Sequence, residues 1–167
     1  MLDLYEILDG HKNSFRIKIV ESLASQHSIS NDAVIEQFND NIENMIKSRY
    51  NTLEQAVDAI CSAGKPVVLN LRRDRQREDT CKICESNEPN IEALDQMFRD
   101  SICIFEISED SPAGALYHVL FQGAPDDDQK LPLTAVIHNC DVKRVWAGKA
   151  VETTVYASLI KKALKAT

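Results

Sequence analysis

The sequence lacks the features of proteins that span membranes or bind nucleic acid through charge alone. No apolar run approaches the roughly 18 residues that a membrane helix needs, and no basic segment precedes an apolar stretch at the amino terminus. Lys and Arg number 19 against 26 Asp and Glu, for a formal net charge of −7. Since nonspecific nucleic-acid binding requires clustered positive charge, we do not expect a nucleic acid as partner. Because no long apolar run is present, we do not expect a membrane as partner either. These absences predict a soluble, cytoplasmic protein.

Cysteines are few and odd in number. The 5 are Cys61, Cys81, Cys84, Cys103 and Cys140, and only one pair is close in sequence. That usage suits a reducing compartment better than a secreted scaffold held by disulfides. We therefore expect Cys61 and Cys103 to be small core residues, and Cys140 to lie in a turn without a partner.

The first fifty residues show helical periodicity and no strand pattern. Apolar residues recur there at intervals of three and four: Phe15, Ile19 and Leu23, then Ile35, Phe38, Ile42 and Met45. This predicts a helical extension over residues 1–50. We expect the second stripe to pack on the chain's own core, with a homodimer formed through these helices as the alternative.

Residues 51–167 alternate between helical and strand patterns. Asn51 and Glu54 resemble a capping box and predict that a new helix begins there. The run Val67–Leu71 predicts a central strand buried on both faces. Further strands are expected at 102–107, 133–137 and 142–146, and helices at 90–99, 113–121 and 151–164. The order predicts an α/β domain with a mixed central sheet flanked by helices.

Two charged segments read as solvated loops. The stretch Arg72–Asp79 interleaves arginines with acids, so its net charge is small. The run Asp126–Asp128 lies in a polar loop over 123–130, and no glycine-spaced ligand pattern surrounds it. We expect the acidic run to be a solvated loop rather than a cation site; steering of an acidic partner is the alternative role of the arginines in the first segment.

Cys81 and Cys84 have the spacing of a thiol pair in the first turn of a helix. Unpaired backbone N–H groups and the helix dipole favour a thiolate there, and Lys82 adds a positive charge. Such sulfurs can bond, so one can attack a disulfide and the other can resolve the intermediate. Zinc sites use the same spacing, and an inert pair is a third possibility. A zinc site would recruit His138 and Cys140, which the predicted strand carries far from the pair, so we predict no metal and no cofactor.

The element order, the sequence Cys81-Lys82-Ile83-Cys84, Pro89 and Pro132 together resemble the thioredoxin superfamily. The resemblance covers about two-thirds of the chain and implies a thioredoxin-like fold over residues 51–167. It implies that Cys81 is the exposed nucleophile and Cys84 the resolving thiol. It also implies that Pro89 kinks the active-site helix, and that a cis Pro132 with Leu131 before it shapes the substrate groove.

A narrower resemblance points to a different function. The segments 53–56, 63–68 and 145–148 resemble the thioredoxin-like and UAS branch, in which many domains are binding modules of ubiquitin-linked adaptors. Thioredoxins keep a buried acid where this chain has Asn70, which cannot titrate. The predicted function is a thiol–disulfide oxidoreductase or redox-responsive protein acting on a protein partner. The alternative is a non-catalytic UAS-type interaction module.

Overall fold

The computed structural model describes residues 2–122 and 130–166. The predicted polar loop over 123–130 and its run Asp126–Asp128 lie, apart from Lys130, outside the described residues. The helices and strands, in chain order, are β1 (Leu2–Asp3), α1 (Leu4–His27), α2 (Asn31–Cys61), β2 (Val67–Arg72), α3 (Lys82–Phe98), β3 (Cys103–Ser108), α4 (Leu116–Leu120), β4 (Leu133–His138), β5 (Asp141–Ala147) and α5 (Thr153–Lys165). Short 3-10 turns at Arg99–Ser101 and Pro112–Ala115 follow α3 and precede α4.

The strands form one five-stranded mixed sheet in the order β1-β5-β4-β2-β3. Strand β2 pairs in parallel with β3 and antiparallel with β4, and β4 and β5 form an antiparallel hairpin. Every residue of β2 and β4 is buried, as expected of strands covered on both faces. Strand β2 is an interior strand, as predicted, and the β4–β5 hairpin is antiparallel. The expectation that this hairpin forms the edge is wrong, because β1 pairs with the outer side of β5.

Alternation along β2 divides the core between the two faces of the sheet. Leu69 and Leu71 point toward a large cluster with residues of α1, α2 and α4. Val68 points the other way, toward a smaller cluster that includes Leu94 of α3 and Ile160 of α5. The predicted architecture, a mixed central sheet flanked by helices with an N-terminal helical extension, is confirmed.

The extension is built from two capped helices that pack on the sheet. The Asp3 carboxylate accepts hydrogen bonds from the backbone N–H groups of Tyr5 and Glu6, so it caps α1. The Ser30 hydroxyl oxygen accepts from the N–H of Ala33 and caps α2 in the same way. Among the described residues, no helix combines the length and the apolar character that crossing a bilayer requires.

Helix α2 runs through the position where a new helix was predicted to begin. Asn51 lies inside it, and its side-chain oxygen accepts from the Gln55 amide one turn later. The reason is that the buried stripe of α2 continues without interruption through Tyr50, Leu53 and Val57. The division of the chain at residues 50 and 51 stays a prediction, and that boundary falls within α2.

The extension also departs from the predicted pattern at its start and on its surface. Leu2 and Asp3 form the short strand β1 on β5, which no periodicity could indicate in two residues. On α2, Ile35 and Met45 are 47% and 51% exposed, whereas Ile42 is buried. The buried stripe contains Val34 and Ile46 in place of the predicted Ile35 and Met45 and keeps Ile42.

The expectation that Cys61 and Cys140 are unpaired is wrong. They form a disulfide with a Cα–Cα distance of 4.6 Å. Cys61 ends α2, and Cys140 lies in the tight β4–β5 turn, where it and Asn139 both have positive φ. The Cys140 carbonyl also accepts from the N–H of Leu4 at the start of α1. The fold brings these segments together across 79 residues, so sequence spacing gave no sign of the pairing.

We predict that Cys61→Ser lowers the free energy of unfolding, by at most about 4 kcal/mol, because the disulfide closes a long loop in the unfolded chain. Urea unfolding without reductant measures the change. Cys103→Ala is the matched control, since Cys103 is a free, half-buried thiol. Alkylation of Cys61 and Cys140 in the untreated protein, seen by mass spectrometry, would contradict the prediction.

Candidate functional site

Cys81 is the N-cap of α3. Its backbone is extended, and its sulfur accepts a hydrogen bond from the N–H of Cys84 at 3.2 Å. The sulfur thus satisfies one of the backbone donors that the first turn of a helix leaves unpaired. In the reduced protein the same donor and the helix dipole favour a thiolate at this position.

The two cysteines of the pair differ in exposure. They form a disulfide with a Cα–Cα distance of 5.2 Å. Cys81 is half-buried, whereas Cys84 is only 3% exposed. A reagent from solvent therefore reaches the Cys81 sulfur before it reaches that of Cys84.

The loop that enters β4 lies against the pair. The Leu131–Pro132 peptide bond is cis, and the Cys81 sulfur lies 3.9 Å from the Leu131 carbonyl oxygen. Both Leu131 and Pro132 are buried, and the Pro132 carbonyl accepts from the N–H of Gly148 at the end of β5. The structure thus brings together four of the residues proposed from the sequence, although they come from segments about fifty residues apart.

Between the cysteines, Lys82 and Ile83 both face solvent. Lys82 is exposed one residue from Cys81, and Ile83 is 42% exposed. Ile83 thus presents part of its apolar surface to solvent beside the Cys81–Cys84 disulfide. Sequence reasoning did not select Ile83, because a single apolar residue in the first turn is also what a buried helix face requires. Pro89 lies inside α3 as predicted.

The predicted solvated loop before Cys81 is exposed over residues 75–79 but tethered by ion pairs. Its first residue, Arg72, instead ends β2 and is only 6% exposed, because its guanidinium pairs with Glu88, so the expectation of a solvated loop is wrong at that end. Three arginines of the segment Arg72–Asp79 pair with carboxylates outside it: Arg72 with Glu88, Arg73 with Glu109, and Arg75 with Glu106. Arg77 pairs with Asp79 inside the segment and with Asp110 outside it. The hydrogen bonds to Glu106 and then Glu88 raise the pKa of Arg75, and the hydrogen bond from Arg77 lowers the pKa of Asp79. The same segment lines a cavity of about 170 Å³ that also reaches Cys81. One wall of the site is therefore polar and held in place by ion pairs.

A buried hydrogen-bond network holds α3 against β4 and α5. The Asn87 side chain accepts from the Val151 N–H at 2.8 Å and donates to the Tyr156 hydroxyl at 3.3 Å. The Tyr156 hydroxyl in turn donates to the Thr134 hydroxyl at 2.9 Å, and burial raises the pKa of Tyr156. Asn87 follows Cys84 by three residues, and Thr134 follows Pro132 by two. The network therefore fixes both halves of the site.

Asn70 occupies a buried position on β2, where it is 5% exposed. It lies opposite Glu106 on β3 and Thr134 on β4. Its side-chain oxygen has no hydrogen-bond partner among the described residues. This position therefore carries a neutral amide and offers no proton-transfer group to the thiol pair.

The structure gives no support to a zinc site. Within residues 2–122 and 130–166, no group of three or more His, Cys, Asp or Glu side chains is placed to hold a metal ion. His138, proposed for that alternative, is buried at the end of β4, and desolvation lowers its pKa. Cys140, the other proposed ligand, is bonded to Cys61.

Comparisons with known proteins find similarity in structure only. No protein-family model matches the chain, and no curated protein matches it. Thioredoxin-2 of the malaria parasite, a component of its protein secretion machinery, is 16% identical; the match covers 59% of this chain and 82% of that one, with a TM-score of 0.46. Chloroplastic thioredoxin z is 15% identical over 67% of this chain and 89% of its own, with a TM-score of 0.49. Thioredoxin O1 from Arabidopsis thaliana in the oxidised state is 13% identical over 66% and 87%, with a TM-score of 0.47.

We predict that Asn87→Ala lowers the free energy of unfolding by about 1–3 kcal/mol, because it leaves the buried Val151 N–H without its acceptor. Tyr156→Phe removes one hydroxyl and costs about 1 kcal/mol. Urea unfolding measures both. Gln96→Ala, at an exposed position on the same helix, is the control and should stay within about 0.5 kcal/mol of wild type. Equal stabilities for the Asn87 and Gln96 variants would contradict the prediction.

Proposed function

We propose that the protein is a thiol–disulfide oxidoreductase in which Cys81 attacks and Cys84 resolves. One observation carries the proposal. The half-exposed Cys81 sulfur caps α3, is bonded to the buried Cys84, and lies 3.9 Å from the carbonyl that precedes Pro132. The accessible Cys81 sulfur is thus bonded to the buried Cys84, and it lies beside the cis Leu131–Pro132 peptide bond. That combination serves exchange with a second disulfide.

The proposed reaction transfers two electrons from the reduced pair to a substrate disulfide. The Cys81 thiolate attacks one substrate sulfur, a mixed disulfide forms, and the other substrate sulfur leaves as a thiolate that takes up a proton. Cys84 then loses its proton and attacks the Cys81 sulfur. This step forms the Cys81–Cys84 disulfide and releases the second substrate thiol. An external dithiol reduces the pair again and is itself oxidised to a disulfide.

The surroundings of Cys81 favour a protein as substrate. Leu131 and Pro132 supply one side of the proposed groove, and the exposed Ile83 supplies an apolar contact on the other. Lys82, exposed next to Cys81, would favour the thiolate through its charge. A cytoplasmic location and a homodimer through the N-terminal helices stay predictions.

The neutral Asn70 favours the alternative function, a UAS-type interaction module without catalysis. A buried amide in β2 cannot move the proton that the Cys84 thiol must lose. In such a module the pair would be a structural disulfide, and the groove or the extension would bind a protein.

Cys84→Ser distinguishes the two functions. If Cys81 is the nucleophile, this variant should accumulate a mixed disulfide with disulfide-bonded insulin, because the resolving thiol is missing. Intact-mass analysis detects the adduct. The experiment is done in a Cys61→Ser/Cys140→Ser background so that the second disulfide cannot contribute, and Cys81→Ser/Cys84→Ser is the control. Absence of the adduct, together with no dithiothreitol-dependent reduction of insulin by the wild type, would reject catalysis and favour the interaction module.

A further inference from the structure

A cavity of about 440 Å³ lies where the helical extension meets the α4 region. Helices α1 and α2 form two of its walls, and the segment from Ala115 to Gln122 forms the third. The cavity belongs to the opposite face of the sheet from α3 and shares no lining residue with the cavity beside Cys81. Its volume falls within the roughly 300–1,000 Å³ typical of small-molecule sites.

Four basic side chains line this cavity: His11, Lys18, Arg49 and His118. No carboxylate lines it among residues 2–122 and 130–166. Burial lowers the pKa of His11, and so do the positive charges of Arg49, His118 and Lys18, which line the same cavity. The formal net charge of −7 is counted with neutral histidines, so the two cations Lys18 and Arg49 in one concave site are by themselves a local reversal of sign.

Two of the basic groups, those of Arg49 and His11, are held in place before any ligand arrives. The Arg49 guanidinium stacks over the Phe15 ring, 4.1 Å from its centroid. The His11 Nδ1 lies 2.7 Å from the hydroxyl of Tyr50, which is itself fully buried. Because these groups lose little freedom on binding, less of the interaction energy is spent on ordering them.

The cavity also has an aromatic wall. Phe121 is 41% exposed and Phe15 is partly buried, and both line it. A bare phosphate or carboxylate group would satisfy the charges and leave this apolar surface uncovered. We propose that the cavity binds a small organic anion whose phosphate or carboxylate group pairs with Lys18 and Arg49 and whose flat apolar part covers Phe121.

The test uses the full chain and three probes: phenyl phosphate, benzoate and inorganic phosphate. Isothermal titration at low ionic strength should show binding of phenyl phosphate or benzoate with a Kd in the range of about 0.1–10 mM. Inorganic phosphate should bind at least about fivefold more weakly than phenyl phosphate, since it has no apolar part to cover Phe121. A difference between phenyl phosphate and benzoate identifies which anionic group the site prefers.

Variants assign the binding to the cavity. Lys18→Gln and Arg49→Gln should each weaken binding of the tighter probe about tenfold, the loss expected of one charge-assisted hydrogen bond. Arg49→Lys should retain most of it, because the charge remains. Lys47→Gln removes an exposed charge from α2 outside the cavity and is the matched control. Thermal unfolding confirms that each variant is folded.

Three results would overturn the proposal. One is the absence of binding by both aromatic probes at about 10 mM. Another is equal weakening by Lys47→Gln and Lys18→Gln, which would show that only the overall charge matters. The third is that inorganic phosphate binds the wild type as tightly as phenyl phosphate does. None of these measurements depends on the thiol pair, so the outcome is independent of the proposed redox function.

Discussion

The arrangement of the candidate site depends on one buried amide. Asn87 is 1% exposed, and its side chain uses its oxygen for Val151 and its nitrogen for Tyr156. A buried polar group costs free energy unless it is paired, so α3 can pack here only where both partners meet it. Through Tyr156 the chain of hydrogen bonds reaches Thr134 on β4. The helix carrying the cysteines and the strand that follows Pro132 are thereby placed with respect to each other.

The hydrogen bonds of Asn87, Tyr156 and Thr134 lie on one face of the sheet, and the N-terminal helical extension lies on the other. Leu4, Leu8 and Tyr50 are at most 1% exposed, which places the extension in the main core rather than on its surface. The Cys61–Cys140 disulfide joins the end of α2 to the β4–β5 turn on the same side. Strand β4, which contributes to the site, is thus supported from both faces. The extension consequently stabilises the sheet without contributing a residue to the thiol pair.

Patterns confined to neighbouring residues could be predicted from the sequence. The buried strand Val67–Leu71, the hairpin turn near Cys140 and the helical pair in the first fifty residues all rest on local periodicity or turn chemistry. Features that depend on distant contacts could not. The disulfide of Cys61 joins segments separated by 79 residues.

Helix α2 shows the same limit within one element. The polar side chains of Asn51 and Glu54 suggest a helix start, but the apolar residues on either side of them face one common core. Tertiary packing therefore decided between a cap and a continuous helix. The pairing of Cys81 with Cys84 could be proposed from the sequence because their spacing is local, whereas Leu131 and Pro132 were proposed only from the resemblance to thioredoxins. The supporting residues Asn87 and Tyr156 have no local signature and were missed.

The wall beside Cys81 and the cavity around Arg49 differ in their local charge. Beside Cys81 the arginines are matched one by one with acids, so that wall is polar but nearly neutral in sum. Across the sheet, the cavity around Arg49 collects positive charge without a carboxylate among the described residues that line it. The net charge of −7 describes neither surface, because screening limits each charge to a range of about 10 Å. A ligand meets the local charge of the surface it approaches, so one acidic chain can present a nearly neutral face at the thiol pair and a basic cavity at the extension.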